Sequence, residues 1–371
     1  MGNVAAFFDI DGTIARESLM IEHFKRLIKY EILDESIWVD NVKQLYMEYV
    51  NRYGAYDAYI EALSEKYRSD LKGFDVRYNK FIAEQSIKKV FERVYVFSRN
   101  QLEFHRSNGH LIFFISGSPD FLVKEMAEKY SDIGDFNVIS SGFVRMDSFY
   151  RDEPEPEHDI WKISPDADKQ NVKRIIYAPH WSIRDGAAGF GNFDKTYMQM
   201  YNYAKDTAVA TSWILRPHPM LRAGSVAQGL FQSEQEYDEY LDMWNRLPNA
   251  KVIESGTYCD IFKSSDAMIL DSISFLGEYL YVHKPMLFLT RERNTFNDFG
   301  RELAKILYKA DGGDFNAIKR FVENTVIQND DYMLKEREAF FEKYLDYYKI
   351  NGMPASEYIY EYIDDAINKV Q

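Results

Sequence analysis

The sequence has a single cysteine, Cys259, among its 371 residues. One cysteine excludes an internal disulfide framework and a zinc site built from cysteines, and it is typical of a reducing compartment. No stretch approaches the ~18 apolar residues of a membrane-spanning helix. The N-terminus opens directly into a strand pattern, without the basic and apolar regions of a signal peptide. We therefore expect a cytoplasmic protein, with at most a peripheral contact at the inner face of the cell membrane.

Positive charge is also scarce, because 45 Lys and Arg residues face 59 Asp and Glu residues, for a formal net charge of −14. Nonspecific binding to nucleic acid requires a basic surface, so we expect no nucleic-acid partner. Hydrophobic residues make up 46% and charged residues 28% of the chain, which is typical of globular proteins. The length predicts two domains.

The first part of the chain reads as two short strands separated by a long helical segment. Dense Glu, Lys, Leu, Tyr and Ile at helical spacing predict a helical insertion over residues 17–108. The other predicted elements are strands at 4–8, Leu111–Ile115, Asn137–Ser140 and Phe143–Met146, and a helix at Pro119–Tyr130. Two prolines among acidic residues at 151–160 cannot continue a helix or a central strand, so a linker is expected there.

Strands and helices alternate in the second part of the chain. The predicted strands are Arg174–Ala178, Ser212–Arg216, Lys251–Ile253, Ala267–Leu270 and Met286–Leu289, with helices at Lys195–Asp206 and Glu234–Trp244 among those between them. Such alternation predicts a parallel, doubly wound sheet. Two further helices are expected after residue 330, separated by an Asn-Gly-Met-Pro turn. The predicted organisation is therefore a domain over 1–150, a linker over 151–168 and a domain over 169–371.

Two carboxylates, Asp9 and Asp11, stand two residues apart where the first strand ends, and Gly12 and Thr13 follow them. Both acidic side chains can face the crevice at the carboxyl edge of a parallel sheet. One carboxylate can attack phosphorus while the other handles the proton of the leaving group. Gly12 permits close backbone approach to a phosphate, and Thr13 adds a hydroxyl donor. An ordinary strand followed by an Asp-Gly turn is the alternative interpretation.

This pattern resembles the first motif of the haloacid dehalogenase superfamily, and residues 112–119 (Ile-Phe-Phe-Ile-Ser-Gly-Ser-Pro) resemble its second motif. The resemblance implies that Asp9 is the nucleophile and Asp11 the general acid/base. It implies phosphate binding by Gly12, Thr13, Ser116 and Gly117, and Mg²⁺ at Asp9 and Asp11. The helical insertion then corresponds to the cap of the phosphoserine-phosphatase-like branch. The family's later Gly-Asp motif, which completes the metal site, has no counterpart at the end of a predicted strand.

Three polar clusters follow predicted strands of the second domain. They contain Pro179 and His180, then Arg216 and His218, then Asp271, Ser272 and Ser274, with Glu278 one helical turn later. Arginine offers a planar donor fork for phosphate, and the amino end of a helix can hold an anion. Glu278 could accept hydrogen bonds from sugar hydroxyls. Taken singly, the histidines read as loop residues and the serines as helix caps; the case rests on their combination.

The combination resembles the CDP-glycerol glycerophosphotransferase family of teichoic-acid polymerases, through Ala178-Pro179, Arg216-Pro217-His218-Pro219, Ser265-Asp266 with Asp271 and Ser274, and Lys284-Pro285. The resemblance implies a GT-B type nucleotide-binding half that takes a CDP-linked polyol or sugar donor. His218, with Arg216, would stabilise the pyrophosphate leaving group. The acceptor would be a cell-wall or capsule polymer or a lipid-linked precursor. The family's acceptor-binding half has no visible counterpart here.

The fold expected overall is α/β, with two Rossmann-like parallel-sheet domains, the first carrying the helical cap. Four functional hypotheses stay open on the sequence: a CDP-polyol phosphotransferase fused to the phosphatase-like domain, a magnesium-dependent phosphatase, a nucleotide-sugar glycosyltransferase, and a catalytically incomplete binding protein. Because each site lacks an evident part, a partner chain that completes the active site is a further expectation.

Overall fold

The structure is a computed structural model, and it describes residues 4–54, 56–71, 76–130, 139, 141–151, 160–183, 190–256, 258–272, 275–291, 296 and 298–369. By its internal contacts the chain divides into two units, Met1–Ser141 with Glu357–Gln371, and Gly142–Ser356. The expected fold class is confirmed, because both units combine helices with parallel strands. The second unit begins at residue 142 rather than 169, and residues from 357 onward are grouped with the first unit.

The first unit pairs two parallel strands, and its helices lie mostly between them in sequence. Its elements are β1 (Ala5–Asp9), α1 (Leu19–Lys29), α2 (Glu35–Asn41), α3 (Lys43–Val50), α4 (Tyr56–Asp70), α5 (Val76–Phe91), α6 (Val96–Ser107), β2 (Leu111–Ile115) and α7 (Asp120–Glu128). The pairing runs from Ala5 opposite Leu111 to Asp9 opposite Ile115. Helices α1 to α6 form the predicted insertion at 17–108, and the predicted strand Leu111–Ile115 is confirmed.

Two apolar cores hold the first unit together. One is built around Phe24, Tyr59 and Leu63, and it packs helices of the segment between β1 and β2 against one another. The other includes Ile10 and Leu122, which bury the loop after β1 against α7. Burial of apolar side chains, the main stabilising contribution to such a fold, therefore holds in place the loop that carries the two carboxylates.

Two strands were also expected after α7. The first, Asn137–Ser140, lies almost wholly outside the described residues. The prediction of a strand at Phe143–Met146 is wrong, because Val144–Phe149 forms a 3₁₀ helix. Asp147 explains why this segment is helical. Its buried carboxylate accepts hydrogen bonds from the backbone N–H groups of Ala355 and Ser356, both at 2.8 Å. This distant partner, which no local pattern reveals, favours a compact turn over an extended segment.

The second unit contains a six-stranded parallel sheet in the order β5-β4-β3-β6-β7-β8. Its strands are β3 (Lys173–Ala178), β4 (Thr211–Leu215), β5 (Ala250–Val252), β6 (Ala267–Leu270), β7 (Met286–Thr290) and β8 (Tyr308–Asp311). Its helices are α8 (Phe193–Asp206), α9 (Leu221–Ala227), α10 (Glu234–Arg246), α11 (Cys259–Ser264), α12 (Asp298–Ala304), α13 (Phe315–Arg320), α14 (Leu334–Tyr344) and α15 (Tyr347–Asn351), with a 3₁₀ turn at Tyr279–Val282 and a π-helix at Phe321–Ile327. The last helix, α16 (Ala355–Lys369), begins in this unit, and its residues from 357 onward are grouped with the first unit. The five predicted strands are confirmed within one residue or two at each end, and β8 was not predicted.

Both faces of this sheet are buried, which explains why its strands read as continuous apolar runs. Ile175 and Tyr177 of β3 pack into a core on one face, whereas Ile176 and Ala178 pack into a core on the other. Trp213, in the neighbouring strand, belongs to the first of these cores and is fully buried. Successive side chains of a strand point to opposite faces, so two helical layers are needed to cover them.

The strand order reverses between β3 and β6. The chain proceeds from β3 outward to β4 and β5, then returns to the other side of β3 for β6 and continues to β7 and β8. In open parallel sheets, ligands bind in the crevice at the carboxyl ends of the strands beside such a switch point. The loops after β3 and β6 are therefore the place to look for a site in this unit.

Part of the expected linker is packed into the second unit. Trp161 is buried, and its indole N–H donates a hydrogen bond of 2.8 Å to the hydroxyl of Ser264. Residues 152–159, which hold the two prolines, lie outside the described residues. Across the described parts of both units, we find no helix with the length and apolar character needed to cross a membrane.

Replacing Asp147 by Ala tests the account of the 3₁₀ helix. The change leaves the Ala355 and Ser356 N–H groups without their acceptor, so we expect a loss of about 1–2 kcal/mol in the free energy of unfolding, the usual range for a helix cap. Urea unfolding measures the loss, and hydrogen exchange at the first turn of α16 locates it. Ser148→Ala, in the same 3₁₀ helix, is the control. An Asp147→Ala protein with the stability and exchange of this control would contradict the account.

Candidate functional site

The loop after β1 in the first unit, residues 9–15, is here called the Asp9 loop. Its turn depends on Gly12, which has a φ of +82° and no atom within 4 Å of the place where a Cβ would stand. The Gly12 N–H donates to the carbonyl of Ala15 at 2.9 Å, and the N–H groups of Ile14 and Ala15 return to the carbonyl of Ile10. This left-handed turn favours glycine, and its open side leaves room for a ligand.

Asp11 has a larger structural role than the sequence indicated. Its Oδ1 accepts hydrogen bonds from the Leu19 N–H at 2.7 Å and the Ser118 hydroxyl at 2.9 Å. Its Oδ2 accepts the Ser116 hydroxyl at 2.7 Å. Ser18 precedes α1 without a side-chain capping bond, so Asp11 satisfies the first amide of that helix in its place. Asp11 thereby fixes α1 and both serine hydroxyls to the end of β1.

Asp9 is exposed, in contrast to Asp11. Its Oδ2 accepts the Thr13 hydroxyl at 3.0 Å. The parallel register sets Asp9 opposite Ile115, the residue before Ser116. Sequence reasoning predicted that Asp9, Asp11, Gly12, Thr13, Ser116 and Gly117 form one phosphate site, and the structure brings them to one edge of the two-stranded sheet.

Ser118 was missed, although the Ser-Gly-Ser sequence after β2 signals it. Its backbone N–H donates to the Ser116 hydroxyl at 3.0 Å, while its own hydroxyl donates to Asp11. Helix α7 begins two residues later, at Asp120, and its amino end adds positive potential at this edge.

The described residues do not form the expected Mg²⁺ site at Asp9 and Asp11. Both oxygens of Asp11 already accept hydrogen bonds, which leaves Asp9 as the one open carboxylate of the pair. Within the ranges that the structure describes, no three His, Cys, Asp or Glu side chains are grouped as metal ligands. A single carboxylate supplies too few oxygen ligands for Mg²⁺, which requires near-octahedral oxygen coordination. The donor set therefore does not fit a resident ion.

In the second unit, Asp271 stands directly after β6 at the switch point, and it is fully buried. Its Oδ1 accepts the backbone N–H of His180 at 2.6 Å, and its Oδ2 accepts the backbone N–H of Asn192. Burial raises the pKa of Asp271 to about 7, and the two backbone donors oppose that rise. The side chain expected to touch a donor thus instead ties the loop after β3 to the end of β6.

The loops after β3 and β4 bring two imidazoles together, with the rings of His180 and His218 5.1 Å apart. The Nδ1 of His180 accepts the Ser182 N–H at 3.1 Å, and the Nδ1 of His218 accepts the Met220 N–H at 3.1 Å. An Nδ1 that accepts a backbone N–H places the proton of a neutral imidazole on Nε2. Both histidines are therefore set to donate from Nε2. Pro179 supports this pair, because its carbonyl accepts the His218 N–H at 3.0 Å.

The guanidinium of Arg216, expected to bind a phosphate, instead binds backbone carbonyl groups. Its guanidinium donates to the carbonyls of Ile253 and Ser255 at 3.1 Å and to that of Gly256 at 2.9 Å. Burial lowers its pKa, as expected for a cation surrounded by carbonyl dipoles rather than a carboxylate. Arg216 shapes the loop after β5. Lys284 is similar, since its ammonium binds carbonyls at the end of α11, a favourable place for a cation.

The remaining predicted donor-binding residues are Ser272, Ser274 and Glu278. Ser272 is buried beside Asp271, whereas Ser274 lies outside the described residues. Burial raises the pKa of Glu278, against a hydrogen bond with Tyr258 and the charge of Arg145. Arg145, which sequence reasoning missed, also reaches the Tyr258 hydroxyl at 3.4 Å. It lies in the segment that was read as a strand, so no signal pointed to it.

Comparison with known proteins bears mainly on the first site. Residues 6–188, just under half of the chain, match the family model of the haloacid dehalogenase-like hydrolases. The match contains the Asp9 loop and Ser116, and it extends through β3 of the second unit. No curated protein matches the chain.

Solved structures show only distant likeness. UDP-GlcNAc 2-epimerase from Neisseria meningitidis has 18% identity over 47% of this chain and 40% of its own, with a TM-score of 0.30. The wall teichoic acid polymerase TagF has 18% identity over 54% of this chain and 44% of its own, with a TM-score of 0.34. MnaA of S. aureus, solved with UDP, has 13% identity over 99% of this chain and 97% of its own, with a TM-score of 0.40. The chain spans less than half of the length of the first two, and we draw nothing on activity from any of them.

The raised pKa of Asp271 predicts a pH dependence of stability. In the unfolded chain its pKa returns to about 3.9, so between about pH 4 and 7 the folded protein retains a proton that the unfolded chain has released. The free energy of unfolding should therefore fall as pH rises through this window, by about 1.4 kcal/mol per unit, and level off above it.

Urea unfolding at a series of pH values measures this slope. Tryptophan fluorescence is a suitable probe, because the second unit contains Trp161, Trp181, Trp213 and Trp244. Asp271→Asn should remove the contribution, whereas Asp242→Asn, an exposed carboxylate of the same unit, should retain it. Identical pH profiles for wild type and Asp271→Asn would contradict the assignment.

Proposed function

We propose that the first unit hydrolyses a phosphate monoester, with Asp9 as the nucleophile. The observation that carries the proposal is the pairing of β1 with β2, which sets an exposed carboxylate opposite the strand end that leads to Ser116. The family match over residues 6–188 supports the same reaction class. Of the open hypotheses this one has the most support, although the resemblance of the second unit had favoured a transferase.

In the proposed reaction, an Asp9 oxygen attacks phosphorus as the bond from phosphorus to the ester oxygen breaks. Asp11 enters this step in its protonated form and gives its proton to the leaving alkoxide, and it takes a proton back from the water that then attacks the aspartyl phosphate. Phosphate ester and water thus become alcohol and inorganic phosphate, and Asp9 is regenerated. Two steps through a covalent intermediate replace one difficult displacement.

The serine hydroxyls must change partners in this scheme. Those of Ser116 and Ser118 donate to Asp11 in the resting structure, at 2.7 and 2.9 Å. An incoming phosphate offers competing acceptors, and a turn of each hydroxyl about its Cβ–Oγ bond would transfer both donors to it. Asp11 would then keep one of its three donors, the Leu19 N–H, and its Oδ2 would be open to carry the proton of the first step. The same serines would thereby bind substrate and prepare Asp11 for proton transfer.

Hydrolysis of p-nitrophenyl phosphate, with Mg²⁺ in the buffer, tests this proposal. Asp9→Asn keeps the shape of the side chain but removes the nucleophile, so kcat should fall by at least about a thousandfold. Asp120→Asn, an exposed carboxylate of α7, is the matched control and should hydrolyse the ester at the wild-type rate. Wild-type activity in Asp9→Asn would remove Asp9 from the mechanism.

We propose a second function for the other unit, the binding of a nucleotide-diphosphate donor at the switch point. The specific observation in its favour is that two imidazoles, His180 and His218, lie together beside the switch point, with ring centroids 5.1 Å apart and with Nδ1 of each accepting a backbone N–H. Two such donors suit the oxygens of a pyrophosphate, and they would stabilise the charge that develops as it leaves. His180 joins His218 in this role, whereas Arg216 and Asp271 hold the surrounding loops.

Within this second proposal, a CDP-linked polyol such as CDP-glycerol is the donor we favour, on the residue pattern described above. A UDP-linked sugar is the alternative, and Glu278 would accept hydrogen bonds from hydroxyls of either. The acceptor would be a polymer or a lipid-linked precursor, held by a partner chain or by a further domain, because donor and acceptor must be positioned together for transfer.

Calorimetry with CDP-glycerol, CDP and UDP-GlcNAc tests the second proposal. His218→Ala should weaken donor binding by about tenfold or more, since a hydrogen bond to a charged group is lost. His218→Gln should retain part of the affinity, because the glutamine amide nitrogen can take the place of Nε2–H. Equal affinities in all three proteins would remove His218 from the site, and preference for UDP-GlcNAc would favour the sugar donor.

A further inference from the structure

A cavity of about 240 Å³ in the first unit has no part in the proposed hydrolysis. It lies among the segment after the Asp9 loop, α1, and the end of α5 with the turn that follows. The residues that line it are Arg16, Glu17, Glu22, Lys89, Val90 and Arg93. Five of these six carry a formal charge, and three of the five are cations, in a protein whose net charge is −14.

Most of these charges already have partners. Glu17 is paired with Lys25 at 2.8 Å, Glu22 with Arg26 at 2.8 Å, and Lys89 with Glu92 at 2.9 Å. Among the residues that the structure describes, Arg16 and Arg93 have no ion pair, and both are exposed. Each of these ion pairs is neutral, so Arg16 and Arg93 are the lining cations that the described ion pairs leave unbalanced, and the lining itself has a formal charge of +1.

The two arginines lie beside one backbone bridge. Ala15 forms an isolated antiparallel bridge with Val94, and the Tyr95 N–H donates to the Ile14 carbonyl at 2.9 Å. Arg16 follows Ala15 and Arg93 precedes Val94, so the bridge brings both arginines to the lining of the same cavity. An anion in this cavity would be attracted by both cations.

Arg16 is also held in position. Its guanidinium lies over the ring of Tyr95, 5.4 Å from the centroid. A guanidinium stacked on an aromatic ring keeps its N–H donors at its edges, where they can bind phosphate or carboxylate in a bidentate manner. Part of the conformational cost of binding is therefore already met in the ligand-free protein.

We propose that this cavity binds a small anion with at least two negative charges, such as a phosphate or a compact dicarboxylate, between Arg16 and Arg93. The volume corresponds to roughly eight water molecules, enough for an anion of this size. The site is additional to the phosphate site of the Asp9 loop and does not rest on the proposed hydrolysis. Ala15 is hydrogen-bonded to Gly12, so the bound anion stiffens the segment that closes the Asp9 loop.

Calorimetric titration of the full chain with inorganic phosphate, pyrophosphate and succinate tests the proposal. At least one of these anions binds the wild type, and Arg16→Gln and Arg93→Gln each weaken that binding by about tenfold or more, as expected for loss of a charge-assisted contact. Lys88→Gln, an exposed neighbour on α5 outside the cavity, stays within about twofold. Ser116→Ala also retains this binding, which separates the cavity from the phosphate site of the Asp9 loop.

Thermal unfolding in anion-free buffer of low ionic strength provides a second readout. Addition of the anion should raise the melting temperature of wild type, and either arginine variant should gain less stability from it. The proposal is overturned if none of the three anions binds the wild type, or if Lys88→Gln loses as much affinity as the arginine variants. It is equally overturned if binding survives in Arg16→Gln and Arg93→Gln but disappears in Ser116→Ala.

Discussion

Both candidate sites depend on a carboxylate that follows a parallel strand and accepts backbone N–H groups from another segment. Asp11, after β1, accepts the first amide of α1, and Asp271, after β6, accepts amides of the loop that follows β3. A carboxyl group with several hydrogen-bond donors inside the protein is more restrained than one that binds water. These interactions determine where the neighbouring functional groups stand.

Within each site, some residues hold the loops in place and others are left for a ligand. In the first unit Asp11 orients Ser116 and Ser118, which leaves Asp9 exposed for chemistry. In the second, Asp271 holds the loop of His180, while the buried Arg216 holds the loop after β5. The groups proposed to face a ligand are thus few, and their positions depend on Asp11 in the first unit and on Asp271 and Arg216 in the second, an arrangement that keeps reactive side chains in a fixed geometry.

Local pattern was sufficient to predict β1 and β2 of the first unit and five of the six sheet strands of the second, since a buried parallel strand leaves a run of apolar residues. It also predicted the Asp9 motif. It could not predict long-range partners. Asp271 and Arg216 resemble ligand-binding residues in sequence because acidic and basic side chains at strand ends also serve that purpose, and only the fold shows their backbone partners. The apolar residues around Arg145 resemble a strand until Asp147 is seen to bind Ala355. Arg16 and Arg93 line the same cavity beside a bridge between Ala15 and Val94, two residues 79 positions apart, which no local window contains.

The central claim is that Asp9 forms a covalent bond to phosphorus, and acid quenching during turnover of a phosphate ester tests it directly. Mass spectrometry of the digested protein should find one phosphoryl group on the peptide that contains Asp9, in a form that hydroxylamine removes because it is an acyl phosphate. A phosphoryl group on Ser116 instead, or continued hydrolysis with no labelled peptide at all, would contradict the account.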